Sequence, residues 1–293
     1  MKRILILSAI FLLTMSCQPK NEKSSQTKHD LLKTEQSEIS YNISGEGEIT
    51  LLFVHGWNIN KSYWDAQRDQ FLKDYKIVAM DLPGFGSSKN LLGQFTIDSF
   101  AKDINALINH LELKKVVLIG HSMGGRIILE AAQDNDKIIA LIGVDNYKEV
   151  QQKLNDELKA EADGFVEWLK ADFANNSSVY VDQYLIYEGA DSLVRKRIVD
   201  DYRAANPETS IPAIQTYLDY PYSEQERLTN LNIPLFLISS DMSPVDTVGL
   251  QNTGLEYSVF EMSQTGHFPM VEQPDVFNQV LAQILKEINE KND

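Results

Sequence analysis

Val116-Val117-Leu118-Ile119 runs straight into Gly120-His121-Ser122-Met123-Gly124. An apolar run therefore delivers a serine that has a glycine two residues to either side, and a helix-forming stretch from Arg126 to Ala132 comes next. This is the strand, turn and helix layout of a G-x-S-x-G nucleophile elbow. To lift one hydroxyl off the end of a sheet, the chain must reverse within very few residues. That strains the serine backbone, and the positions two before and two after must be small enough to pass each other. A plainer reading of the five residues is a glycine turn with Ser122 as a helix cap. The rest of the chain decides between them.

Working outward, similar apolar runs recur with helical patterns between them. Ile49 to Val54 is apolar apart from Thr50 and ends in His55-Gly56-Trp57. Lys76 to Met80 leads into Asp81-Leu82-Pro83-Gly84-Phe85-Gly86, and Phe100, Ile104, Leu107, Ile108 and Leu111 succeed it at helical spacing. Ile138 to Val144, Leu235 to Ile238 and Tyr257 to Met262 complete the series. Before them, Ile39, Tyr41 and Ile43 alternate with polar residues as an edge strand does. Strands buried on both faces and separated by helices predict an α/β fold with a mostly parallel sheet. From about Tyr147 to Asn232 no comparable strand appears, and helical patterns replace it: Val150, Leu154 and Leu158, then Phe165, Trp168 and Leu169, then Leu193, Ile198 and Tyr202. An excursion of that length needs structure of its own, and it reads as a helical cap inserted between two core strands.

A serine hydroxyl is a weak nucleophile unless a base lies within hydrogen-bond reach and a third group orients that base. The chain has five histidines. His29 lies in a polar leader, His110 near the end of a helix and His55 at the end of a strand, while His121 should face away if Ser122 sits at the apex of the elbow. His267, in Gly266-His267-Phe268-Pro269 after the last strand, remains as the candidate base. The acidic residues Asp156, Glu157, Glu161 and Asp163 suit a solvated helix face better than a metal site. No zinc spacing or phosphate-binding glycine loop appears, so neither metal nor cofactor is expected. A formal net charge of −15 and a pI near 4.8 argue against a protein that grips nucleic-acid backbones.

With His55-Gly56-Trp57, Asp81-Leu82-Pro83-Gly84-Phe85-Gly86, Gly120-His121-Ser122-Met123-Gly124-Gly125 and Gly266-His267 in this order, the chain resembles an α/β-hydrolase. It is similar to the branch that includes small esterases, lactonases, epoxide hydrolases and haloalkane dehalogenases. The resemblance implies a core over residues 37–146 and 231–293, with the helical cap over 147–230 between the sixth and seventh strands. It implies Ser122 as nucleophile, His267 as base, and an oxyanion hole from the backbone N–H groups of Met123 and Trp57. The orienting acid stays open. Relatives usually carry it just beyond the seventh strand, where this chain has Asp241, Ser243 at the equivalent count, and Asp246 further on. Some carry it at the end of the sixth strand, where Asp145 stands. The implied activity is hydrolysis of a small or medium ester, lactone or thioester through an acyl-enzyme. Serine triads in this fold also serve perhydrolases and C–C hydrolases, and a ligand-binding protein that keeps the fold is the rival of another class.

The first residues read separately. Lys2 and Arg3 precede an apolar stretch from Ile4 to Leu13, then Thr14-Met15-Ser16-Cys17, the arrangement of an export signal. Ten apolar-rich residues are too few to span a bilayer. Cys17 is the single cysteine, so it has no internal disulfide partner. The segment resembles a bacterial lipoprotein signal, which implies removal of residues 1–16 and lipidation of Cys17. Residues 17–36, polar and without apolar periodicity, then read as a flexible tether to a cell-envelope membrane.

Overall fold

The computed structural model describes residues 27–220 and 223–292. In chain order the elements are β1 (Lys28–Lys33), β2 (Ser37–Ser44), β3 (Ile49–Val54), α1 (Asp65–Phe71), β4 (Lys76–Met80), β5 (Lys89–Asn90), α2 (Ile97–His110), β6 (Lys115–His121), α3 (Met123–Ala131) and β7 (Ile138–Val144). Then come α4 (Asp156–Ala171), α5 (Phe173–Tyr184), α6 (Ser192–Ala204), α7 (Pro207–Leu218), α8 (Glu224–Leu228), β8 (Leu235–Ser240), α9 (Thr247–Gln251), β9 (Tyr257–Met262), α10 (Pro269–Glu272) and α11 (Pro274–Asn292).

All of these strands join one sheet in the order β1-β2-β4-β3-β6-β7-β8-β9, with the two-residue β5 paired to β2. From β4 to β9 every pairing is parallel, while β1 and β2 are antiparallel additions at one edge. Every residue of β3 and β8 is buried, as helices on both faces require. Helices α2, α3 and α8 cover one face and α1, α10 and α11 the other. Each wholly buried Leu or Ile of these strands contributes about 1.5–3 kcal/mol by leaving water.

Register matters more for function than strand count does. Val54 pairs with Gly120, His121 with Val144, Val144 with Ile238 and Ser240 with Met262. The carboxyl ends of the central strands therefore finish side by side, and the loops leaving them share one edge of the sheet. In open α/β sheets that edge is where ligands bind.

Between β7 and β8 the chain forms helices, as the pattern predicts, and their starts are written in the sequence. Asn155, Asp191 and Asn206 each cap the next helix by accepting a backbone N–H. Pro207 stands at the first turn of α7, and Ser223 with Glu226 makes a capping box for α8. The first of these helices begins only at Asp156, so Val150 and Leu154 are not helical and residues 147–155 are loop.

The tether expected over residues 17–36 is corrected at its end. Lys28–Lys33 is a strand, with Lys28 opposite Ile43 and Lys33 opposite Glu38. It adds to the sheet edge through backbone hydrogen bonds, which need no apolar alternation, and its side chains stay largely exposed. Cys17 and the signal-like segment lie outside the described residues. Among the described residues no helix is long and apolar enough to cross a membrane.

Candidate functional site

The elbow has the strain that its glycines imply. Ser122 sits at φ 53°, ψ −122°, between the last residue of β6 and the first of α3. A Cβ on Gly120 would lie 2.5 Å from the carbonyl oxygen of Gly124, and one on Gly124 would lie 2.8 Å from the carbonyls of Val54 and His55. Both glycines are thus required by close backbone approach. Ser122 occupies the helix N-cap position, yet its side chain makes no capping hydrogen bond. The helix-cap reading fails on that point, and the hydroxyl has no hydrogen-bond partner among the described residues.

Asp145 and His267 meet from opposite directions. Asp145 comes directly after β7 at φ 49°, and its N–H donates to the Ile238 carbonyl at 2.8 Å. His267 lies on the loop between β9 and α10, and its Nδ1–H donates to Asp145 Oδ2 at 2.6 Å. The other carboxylate oxygen, Oδ1, accepts from the Ser240 N–H at 2.9 Å and the Ser240 hydroxyl at 2.8 Å, and it lies 3.1 Å from Lys148 Nζ. Burial alone would favour the neutral acid. The hydrogen bond and charge of His267, then Lys148 and the Ser240 N–H, overcome it and hold Asp145 well below the ordinary carboxyl range. Nε2, the other ring nitrogen of His267, has no hydrogen-bond partner among the described residues.

The other acid candidates lie elsewhere. Asp241 accepts the Gln264 N–H at 3.1 Å on an exposed turn. Asp246 caps α9 through the Gly249 N–H at 2.8 Å, and the Ser243 carbonyl is bound by Lys148. The acidic residues of α4 are exposed, and Asp163 pairs with Lys159 one turn away.

Two histidines that do not face the cavity hold the loops that do. His55 donates from Nδ1 to the Gly56 carbonyl at 2.7 Å and accepts the Leu82 N–H on Nε2 at 2.9 Å, which fixes its neutral tautomer. His121 points away from the hydroxyl of Ser122 but not into inert core. Its Nε2 donates to the His267 carbonyl at 2.7 Å, and its ring lies 4.7 Å from that of His267. Burial, together with the neighbouring His267, pushes His121 down to about 3.

Several residues in the site carry no motif. Asn146 donates from Nδ2 to the Gly120 carbonyl, and the Tyr147 hydroxyl to the Gly125 carbonyl, each at 3.0 Å. The space left by Gly125 is filled by Asn146, since a Cβ there would lie 1.8 Å from Asn146 Nδ2. The Glu272 carboxylate accepts the N–H groups of Gly266 at 2.9 Å and Phe268 at 3.0 Å, either side of His267. It also accepts the Tyr187 N–H at 3.2 Å, and the His267 N–H donates to the Leu185 carbonyl at 2.7 Å. Proximity in sequence to Asp145 or His267 is the one signal that could have found them.

A cavity of about 500 Å³ opens over Ser122 and His267, with Trp57 and Met123 in its wall. Its roof comes from the inserted helices, including Phe165 of α4, Tyr180 of α5 and Ile214 of α7. Trp57 is held by its indole N–H, which donates to the Ser210 carbonyl at 2.8 Å, and by edge contacts with Phe173 and Tyr202. No described residue accepts a hydrogen bond from the backbone N–H of Trp57 or of Met123.

A family model described as the alpha/beta hydrolase fold matches residues 49–274. The uncharacterized hydrolase YugF of Bacillus subtilis is 27% identical over 259 residues, which is 82% of this chain and 91% of that protein. 3-Oxoadipate enol-lactonase 2 of Acinetobacter baylyi is 23% identical, over 89% of this chain and 97% of that protein. Among solved structures, a thermophilic esterase from Thermogutta terrifontis superposes with a TM-score of 0.78 at 23% identity, covering 89% of this chain and 99% of that one. At that identity the likeness speaks for the fold.

Proposed function

Because this chain belongs to the alpha/beta hydrolase fold family, we propose that it is a serine hydrolase that cleaves a small or medium ester, lactone or thioester through an acyl-enzyme. Ser122 Oγ attacks the carbonyl carbon while His267 Nε2 takes its proton, and Asp145 orients the imidazole and stabilises its charged form. The Met123 and Trp57 N–H groups, both without an acceptor among the described residues, receive the developing oxyanion. His267 then returns the proton to the leaving group, and water repeats the sequence to free the acid.

The observation that carries this reading is the 2.6 Å contact of His267 with Asp145, beside a cavity that Ser122 and His267 both line. A wall that mixes aromatic and aliphatic side chains with Arg126, Glu149, Gln152 and Glu161, and a volume of about 500 Å³, suit a medium acyl or alcohol group that carries polar atoms. The relatives named as a hydrolase and an enol-lactonase support ester or lactone chemistry over the other reactions that this fold hosts. Labelling the intact protein with a serine-directed fluorophosphonate tests the reading. Label should appear on Ser122 and vanish in Ser122→Ala together with turnover of p-nitrophenyl esters. An unlabelled wild-type protein, or Ser122→Ala at full turnover, overturns it.

The charged, apolar and small-residue order of residues 2–17 supports lipidation at Cys17 and attachment to a cell-envelope membrane. Expressed in a bacterial host, Cys17→Ser should leave the membrane fraction. A Cys17→Ser protein that still sediments with membranes rejects the anchor.

A further inference from the structure

Lys148, three residues beyond Asp145, lies in an unusual place for a lysine. Its ammonium is 3.1 Å from Asp145 Oδ1 and donates to the Ser243 carbonyl and to the Ser239 hydroxyl. Of the three donors of this ammonium, two have hydrogen-bond partners, and Asp145 is met as an ion pair. Two of them tie the loop after β8 to the sheet, which any uncharged donor would also do. Its charge, by contrast, lies against the carboxylate that faces His267.

The division of labour on Asp145 is uneven. Oδ1 takes the Ser240 N–H and Oγ–H and lies beside the Lys148 ammonium, while among the described residues Oδ2 takes only His267 Nδ1. Two hydrogen bonds and the ammonium beside one oxygen fix the rotation of the carboxylate and leave the other oxygen aimed at the imidazole. We propose that Lys148 is a positioning residue for the reaction: its charge keeps the Asp145 carboxylate ionised and turned toward His267, and it restrains the uptake of a proton by the His267–Asp145 pair, so that activity extends to lower pH. The proposal rests on the hydrolase reading of Ser122.

The physical basis is Coulombic. A buried carboxylate beside an imidazole draws a proton onto that imidazole, and a cation within about 4 Å of the carboxylate opposes the draw. Of the other titratable or charged groups around the pair, three have partners of their own. His121 is turned to the His267 carbonyl, Glu272 to the Gly266 and Phe268 N–H groups, and Arg126 to Glu224 at 3.4 Å. Glu149 stands on the cavity wall, exposed. Among the described residues, Lys148 is the only lysine or arginine paired with Asp145.

The test is the pH profile of kcat/KM on a p-nitrophenyl ester for wild type, Lys148→Met, Lys148→Gln and Lys148→Arg, each titrated with fluorophosphonate to count competent Ser122. Loss of the charge should move the acidic limb to higher pH by about one unit in the Met and Gln variants, and Arg should restore it. Gln keeps a donor for Ser243, so it separates charge from loop anchoring. If Met fails to fold, the difference between Gln and Arg carries the test. An unmoved acidic limb in labelled Met or Gln variants overturns the proposal and leaves the hydrolase reading standing. A wild-type protein with neither label nor turnover overturns both.

Discussion

Asn146 donates its side-chain amide to the carbonyl of Gly120 at 3.0 Å, so the loop that carries Asp145 grips the turn that carries Ser122. Gly125 makes room for this grip, because a Cβ there would lie 1.8 Å from Asn146 Nδ2. Gly125→Ala should therefore destabilise the protein by about 1–3 kcal/mol through overpacking. Adding Asn146→Ala removes the clashing amide and should recover much of that stability, but not turnover, since the turn has lost its tie. Urea denaturation and ester turnover of the single and double variants check both halves.

Asp145 and Asp241 are separated by a larger effect. Asp145→Asn removes the carboxylate that His267 Nδ1 meets, and on the proposed mechanism kcat should fall about 10,000-fold, as loss of the orienting carboxylate does in serine triads. Asp241→Asn loses only an exposed bond to the Gln264 N–H, and its kcat/KM should stay within a few-fold of wild type. Comparable losses in the two variants would reject Asp145 as the orienting acid.

Stability should depend on pH through His121. Its folded value, about 3, lies below its ordinary 6.5, so the unfolded chain binds the extra proton between those limits. The neutral histidine thus contributes stability that is complete above 6.5 and lost as pH falls toward 3, at up to about 1.4 kcal/mol per pH unit. His55, also lowered by burial, slopes the same way. Asp145, depressed as a carboxyl, keeps its contribution until pH drops below about 3.8. Buried Glu224 and half-buried Glu272 are raised and slope oppositely from 4.5 upward, so the informative quantity is the difference from a variant. His121→Gln should flatten urea midpoints measured at about pH 5 and about pH 7.5.

Glu272→Gln tests the hold on the base. One carboxylate accepts three backbone N–H groups, and an amide supplies one oxygen while turning N–H toward the others. Leaving buried donors unpaired costs about 1–3 kcal/mol. Because the loop carries His267, kcat should fall roughly 10- to 100-fold as well, with KM changing less. Thermal melts and steady-state kinetics read the two effects separately.

Features governed by local physics are legible in the sequence. Ser122 and its glycines can be read because a reversal that tight admits few residues, and β9 is readable to its bounds as a compact run. The acid is not legible, because β7 and β8 are neighbours. Val144 pairs with Ile238, so Asp145 and Asp241 both leave the same edge of the sheet. Their difference lies in the positive φ of Asp145 and the donors of Ser240 and Lys148, none of which has a spacing signature. Strand β1 is hidden for a different reason: its pairing uses backbone groups, and Lys28–Lys33 has no buried face to pattern.

The contact of Leu185 with His267 makes the inserted helices a strut more than a door. The loop after α5 holds His267 by its backbone, Tyr187 shares Glu272 with the same loop, and Ser210 of α7 holds the Trp57 indole. A swing of this segment would carry His267 and the loop of Trp57 with it. Transplanting these helices from a relative to change specificity therefore requires keeping residues 185–187 and the Ser210 carbonyl in place.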